Sequence, residues 1–262
     1  MGGGRARSAG RGGHPRLSFT GDLVAGPRGR HSLGVSDDKK IRPLIERRQA
    51  FAERKAAMQK GMFRDTTPRG TGPLNRDGMP KLPVGQREVK NWPVLDLGAQ
   101  PNIPLDKWRL TIDGAVENPV TLNWEGLKAL PQSESVSDMH CVTQWSRYDN
   151  RWQGVSGRTV LDLVMPKMEA RHVVFHAYDT YTTNVTLDVF ADPDVMLVHT
   201  WEGQPISREH GGPLRVLIPR WYLWKSAKWI KRIEFSAEDK PGFWEVRGYH
   251  NEGDPWLEQR YS

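Results

Sequence analysis

One cysteine stands in the chain, Cys141, so no internal disulfide can form and the thiol needs another explanation. It follows His140 and precedes Val142, Thr143, Gln144 and Trp145, where a strand gives way to a polar, aromatic loop. A thiolate in such a setting can serve as a nucleophile or a soft metal ligand, because both roles need the deprotonated sulfur. A small buried hydrophobe is the third option. His140 is a poor general base for it, since successive strand residues point to opposite faces. His176, His199 and His210 are the histidines a fold could bring near it. Further on, His210-Gly211-Gly212-Pro213-Leu214-Arg215 is a glycine-rich loop with a potential cation at either end. Its glycines let the backbone approach a bulky ligand, and the two end side chains can clamp phosphate oxygens. Lys225-Ser226-Ala227-Lys228-Trp229 places two lysines three apart around small residues, whose backbone N–H groups can form an anion nest.

The elements that must position these residues follow from the apolar pattern. Trp108, Leu110 and Ile112 alternate with polar residues up to the Asp113-Gly114 turn, which predicts a half-buried strand. Asn123 caps a short helix carrying Trp124, Leu127 and Leu130, and Pro131 ends it. A strand from about Ser135 delivers His140 and Cys141 to its C-terminal end. Leu161 to Met165 reads as a helix stopped by Pro166. Val173–Tyr178, Val195–Trp201, Leu214–Ile218 and Ile230–Phe235 read as strands. Few and short helices around a mixed sheet make an α+β body and exclude a doubly wound dinucleotide-binding domain.

Charge and apolar mass are segregated along the 262 residues. Residues 1–70 hold 16 Lys/Arg against 6 Asp/Glu, whereas residues 71–262 hold 22 against 25. All eleven Trp lie from Trp92 onward. The folded body is therefore expected from about residue 75. Residues 1–36 are Gly/Arg-rich without periodicity and are expected to form a disordered basic leader. A charged helix is expected from Asp38 to about Met62. Thr66 to Gln86 is so dense in Pro and Gly that an extended linker without regular structure is expected there. No run reaches the roughly 20 apolar residues of a membrane span, nor is there a secretory signal, so the expected location is the cytoplasm.

The stretch His140-Cys141-Val142-Thr143-Gln144-Trp145-Ser146, followed by Asn150-Arg151-Trp152-Gln153-Gly154-Val155, resembles the signature of the sulfite oxidase family, above all its short stand-alone bacterial members. The resemblance spans roughly Gln86 to the C-terminus and implies a sulfite-oxidase-type molybdopterin-binding fold over residues 86–262. Residues 37–85 are then helix and linker. It implies that Cys141 binds molybdenum directly, with His140 beside it at the cofactor. The His-Gly-x-Pro-x-Arg-like and Lys-Trp segments are similar to the family's pterin pyrophosphate site, which implies that His210, Arg215, Ser226 and Lys228, with Lys225 a weaker candidate, hold the phosphate end of molybdopterin. Asn91 and Trp92 occupy the place of the loop that caps the pterin. Tyr178, Asp179, Tyr181 and Thr183 fall in a loop that usually adds polar contacts. Gln144 and Trp145 stand where animal and plant members carry a basic residue, and the spacing to Arg151-Trp152 is short.

The implied activity is two-electron oxo transfer at molybdenum on a small anion or sulfoxide, with Arg147 or Arg151 steering the substrate. Neither a dimerisation domain nor a haem domain is expected, so the resemblance implies a monomer served by a separate redox partner, a cytochrome or other electron carrier. Two other functions remain open from the residues alone. One is a cysteine-nucleophile enzyme. The other is a non-catalytic anion- or nucleic-acid-binding protein using the basic leader; the acidic balance of the body argues against nucleic acid.

Overall fold

The computed structural model describes residues 67–262, together with Met1 and Glu46. The basic leader and the charged helix expected from Asp38 to Met62 lie outside the described residues, except Glu46, which is helical. Along the chain, β1 (Gly70–Leu74) and β2 (Pro80–Pro83) are followed by β3 (Arg87–Glu88), β4 (Leu110–Gly114), β5 (Val120–Leu122), helix α1 (Trp124–Ala129), β6 (Ser133–Cys141), β7 (Trp145–Ser156) and helix α2 (Gly157–Val164). Then come β8 (His172–Ala177), β9 (Thr182–Thr186), α3 (Leu187–Phe190), β10 (Met196–Trp201), β11 (Gln204–Pro205), β12 (Arg215–Leu217) and β13 (Ile230–Ser236).

Two mixed sheets result, and the body is α+β with short helices. In the first, the order is β11-β10-β7-β3, with β6 also on β7 and β12 also on β10. In the second it is β5-β4-β13-β8-β9, where β13 runs parallel to β4 and antiparallel to β8. The alternation that announced β4 is realised: Leu110 and Ile112 are fully buried and Thr111 between them is half-buried. One hydrophobic cluster joins the sheets through Val155, Leu197 and Val216 on one side and Phe175, Ile233 and Phe235 on the other. Each such burial is worth about 1.5–3 kcal/mol. Helix α2 adds Val160 and Val164 to it.

Local signals hold where they are short-range. The Asn123 side chain accepts from Gly126 N at 2.7 Å at the start of α1. Helix α2 begins four residues before the expected Leu161, because Ser156 caps it by accepting from Thr159 N at 3.1 Å. Two expectations fail. The polar, aromatic segment after Cys141 is the twelve-residue strand β7, separated from β6 by only Val142–Gln144. Its alternation is hidden by a register shift between Ser137 and Met139 on β6 and by Asp149 at φ 54°. The breaker-rich segment expected to lack regular structure contains the β1–β2 hairpin, turned at Asn75, whose side chain accepts from Asp77 N and Met79 N. A two-stranded ribbon at the margin tolerates its prolines because it needs few backbone donors. No helix of the described residues is long and apolar enough to cross a membrane.

Candidate active site

The register of β6 and β7 sends Cys141 and its neighbour to different surroundings. Cys141 is 4% exposed and lines a cavity of about 430 Å³. The turn that follows is held from several sides: Gln144 N donates to Cys141 O at 3.0 Å, Gln86 Nε2 donates to the same carbonyl at 3.1 Å, and Arg260 Nη1 donates to Val142 O. Thr143 Oγ1 lies 3.1 Å from the sulfur. His140 is not among the cavity residues, which corrects the expectation that it sits at the cofactor. It is buried against the edge of Trp256, with Nδ1 2.8 Å from Ser146 Oγ, and burial brings its pKa down to about 3. Strand alternation is the reason.

The clamp forms as the loop chemistry requires. Gly211 has φ 106°, and a Cβ there would lie 2.8 Å from Lys228 Cβ. One on Gly212 would meet Ile206 O at 2.1 Å, so neither position admits a larger residue. The close backbone approach brings Arg215 against both loops: Nη1 donates to His210 O and Nη2 to Ser226 O, each at 2.8 Å. Arg215 is 4% exposed, and no carboxylate pairs with it among the described residues. Burial alone brings its pKa down to about 10. His210 stacks on Trp92, with ring centroids 3.9 Å apart and an interplanar angle of 7°. Burial, then the Arg215 and Lys228 charges, hold it at about 4, so it is a neutral imidazole at neutral pH. Lys228 Nζ donates to Leu95 O at 2.8 Å and Glu209 O at 2.9 Å, and burial with the Arg215 charge brings it down to about 8. Ser226 Oγ accepts from Ile218 N, which leaves its own proton free to donate.

Trp92, Cys141, His210, Arg215, Ser226 and Lys228 all line the one cavity. The other residues expected there do not. Asn91 is exposed outside it. Arg147 packs on the Trp201 ring at 4.8 Å and donates to Lys90 O, and Arg151 is exposed, so neither borders the cavity. Tyr178 OH bridges Arg109 N and O at 2.9 Å. Thr183 lies in β9 and donates to Glu245 Oε1 at 2.8 Å. Lys225 is fully buried, its Nζ 2.6 Å from the same carboxylate oxygen and bonded to Asn184 O and Oδ1. Thr183 and Lys225 are buried, where a hydroxyl or an ammonium must be paired, and the protein itself supplies their partners, as it does for the half-buried Tyr178.

From the same loop as Tyr178, Asp179 and Tyr181 do reach the cavity; burial raises Asp179 to about 6. Sequence reasoning missed Trp244, Arg260 and Tyr261. Nothing local marks them, since their neighbours are remote in sequence. Among the histidines proposed to activate Cys141, His176 lies 3.0 Å from Glu234 Oε2 and His199 2.8 Å from Gln132 Oε1.

The cavity thus offers a single thiol and a buried, uncompensated guanidinium. Among the described residues there is no group of three or more His, Cys, Asp or Glu side chains able to hold a metal. A metal here must bring most of its ligands with it, together with an anion for Arg215. A molybdenum held by a phosphate-bearing dithiolene fits both needs.

Residues 97–244 match the family described as the oxidoreductase molybdopterin binding domain. The chain is 44% identical over 183 residues to the uncharacterized oxidoreductase YuiH of Bacillus subtilis, covering 70% of this chain and 92% of that one. It is 29% identical to the putative protein-methionine-sulfoxide reductase subunit YedZ1 of Azospira oryzae over 143 residues, covering 55% of this chain and 54% of that one. With sulfite oxidase of Arabidopsis thaliana the identity is 28% over 180 residues, covering 55% and 46%. The chain spans about half the length of the last two.

Proposed function

Because the chain belongs to the oxidoreductase molybdopterin-binding family, we propose that it carries out two-electron oxo transfer on a small substrate, with Cys141 as the protein ligand to molybdenum and a separate carrier exchanging the electrons. The observation that carries this is the sharing of one cavity by Cys141 and the uncompensated Arg215. When bound, the cofactor supplies the redox chemistry, in the reducing direction R₂SO + 2 e⁻ + 2 H⁺ → R₂S + H₂O for a sulfoxide. The chain supplies position and electrostatics.

Arg215 pairs with the phosphate end, where a planar fork already oriented by two carbonyls loses little freedom on binding. Lys228 adds a second positive charge and Ser226 a hydroxyl donor. Neutral His210, stacked on Trp92, offers a flat wall without a third charge. Gln86 and Arg260 donate to the carbonyls of Cys141 and Val142 and so brace the backbone turn that carries the sulfur.

The test is Cys141→Ser in protein from a host that makes the cofactor. Pterin is expected to stay bound through the clamp, while the thiolate contribution to visible absorption and oxo-transfer turnover disappear, a serine oxygen being a harder and poorer electron donor. Wild-type protein purified without molybdenum from that host overturns the proposal. So does a variant that keeps both the spectrum and turnover with an artificial electron carrier.

A further inference from the structure

Cys141 pairs with Trp145 across β6 and β7, so the chain reverses through only Val142, Thr143 and Gln144. A three-residue reversal closes on a left-handed residue, and Gln144 takes that place at φ 70°. The conformation is strained for any side chain beyond glycine, so it persists only where the surroundings impose it. Several bonds do so: Gln144 N donates to Cys141 O at 3.0 Å, Arg87 N donates to Gln144 O at 3.2 Å, and Gln86 and Arg260 donate to the carbonyls of Cys141 and Val142. Thr143 sits in the middle of this braced turn, and its branched Cβ restricts the side chain further.

The turn sets the Thr143 hydroxyl 3.1 Å from the Cys141 sulfur, and both residues line the cavity. In the free thiol either atom can donate. A sulfur that binds a metal has lost its proton, so the hydroxyl is then the donor and the sulfur the acceptor. The adjoining Val142 side chain has no donor to offer in its place. A hydrogen bond to a metal thiolate draws electron density from the sulfur, which weakens its donation and favours the reduced metal over the oxidised one.

We propose that Thr143 is a positioning residue of this enzyme: its hydroxyl donates to the Cys141 thiolate when that sulfur holds the metal, and so raises the reduction potential of the centre. The inference rests on the oxo-transfer reading, in which Cys141 is the protein ligand. The rigid turn matters because a donor held at one distance from the sulfur contributes in every molecule, whereas a free side chain would share its hydroxyl with water. A threonine that only supported the turn would alter the unfolding midpoint and leave the potential unmoved.

The test is a redox titration of holoprotein, followed by the paramagnetic signal of the metal and by the thiolate charge-transfer band. Thr143→Val keeps the branched shape and removes the donor; at an exposed position it is expected to leave the fold and the molybdenum and pterin contents unchanged. Its midpoint potential is expected to fall by about 30 mV or more, which is about a threefold change in the one-electron equilibrium at about 59 mV per tenfold. The charge-transfer band is expected to move to lower energy. Thr143→Ser, which restores the hydroxyl, is expected to recover at least half of both shifts. Should Thr143→Val be recovered without molybdenum, Thr143→Ala is held to the same fall in potential. A smaller or upward shift on removing the hydroxyl overturns the inference, as does a Thr143→Ser protein that recovers less than half. Wild-type holoprotein and Thr143→Val with the same potential overturn this inference alone; wild-type protein purified without molybdenum overturns the oxo-transfer reading beneath it.

Discussion

Replacing Arg215 with Met separates two quantities that usually move together, the stability of the empty protein and its hold on the cofactor. In the empty protein the guanidinium is an unpaired buried charge whose pKa has been brought down to about 10. At about 1.4 kcal/mol for each tenfold in acidity, that burial costs roughly 3 kcal/mol. The two 2.8 Å bonds to His210 O and Ser226 O offset it, hydrogen bonds to a charged group being worth about 1.5–3 kcal/mol each. Methionine removes the cost and the bonds together while filling much of the space. Cofactor-free Arg215→Met is therefore expected to unfold within about 3 kcal/mol of wild type. Cofactor affinity has no such compensation: loss of one partner of a buried charge pair costs about 2–5 kcal/mol, or roughly 30- to 4000-fold. Urea unfolding of the empty protein gives the first quantity. Pterin retained after extended dialysis, released, oxidised and read by fluorescence, gives the second. A variant that keeps pterin as wild type does refutes the assignment of Arg215 to the clamp. One that loses pterin only because it is unfolded refutes the separation.

Three further outcomes follow from the same geometry. Cofactor affinity should fall as pH rises through about 8, where the Lys228 ammonium deprotonates, and Lys228→Gln should flatten that dependence. In the cofactor-free protein the sign reverses: above pH about 8 the unfolded chain binds the proton that folded Lys228 has lost, so wild type should gain stability relative to Lys228→Gln as pH climbs toward the ordinary lysine range; parallel unfolding curves at pH 8 and 10 would contradict this. Lys225→Met should destabilise the fold by about 3–5 kcal/mol by leaving Glu245 buried without its partner. Adding Glu245→Leu should recover much of that loss, and pterin bound per folded molecule should not change, whereas selective loss of pterin would return Lys225 to the clamp.

Much of this site was legible in the chain because its signals are local. Cys141 at the end of a strand, glycines at two positions that exclude a Cβ, and cations at fixed distances from them need only a few neighbouring residues to be recognised. The same holds for α1, whose cap and terminator lie within ten residues of each other. What tertiary structure decided is everything that depends on which surface a side chain meets. Two residues side by side in β6, His140 and Cys141, end buried beside Trp256 and lining the cavity, respectively. Lys225 and Lys228 are three apart in one motif, yet Glu245, a carboxylate twenty residues further on, claims the first and leaves the second at the rim. Trp92 stacks on His210 and Arg260 reaches Val142 across more than a hundred residues. No spacing rule encodes such meetings, because burial and charge pairing are properties of the assembled core. The sequence by itself determined which groups were available for chemistry; packing determined which of them were already satisfied by the protein and which were left to face a ligand.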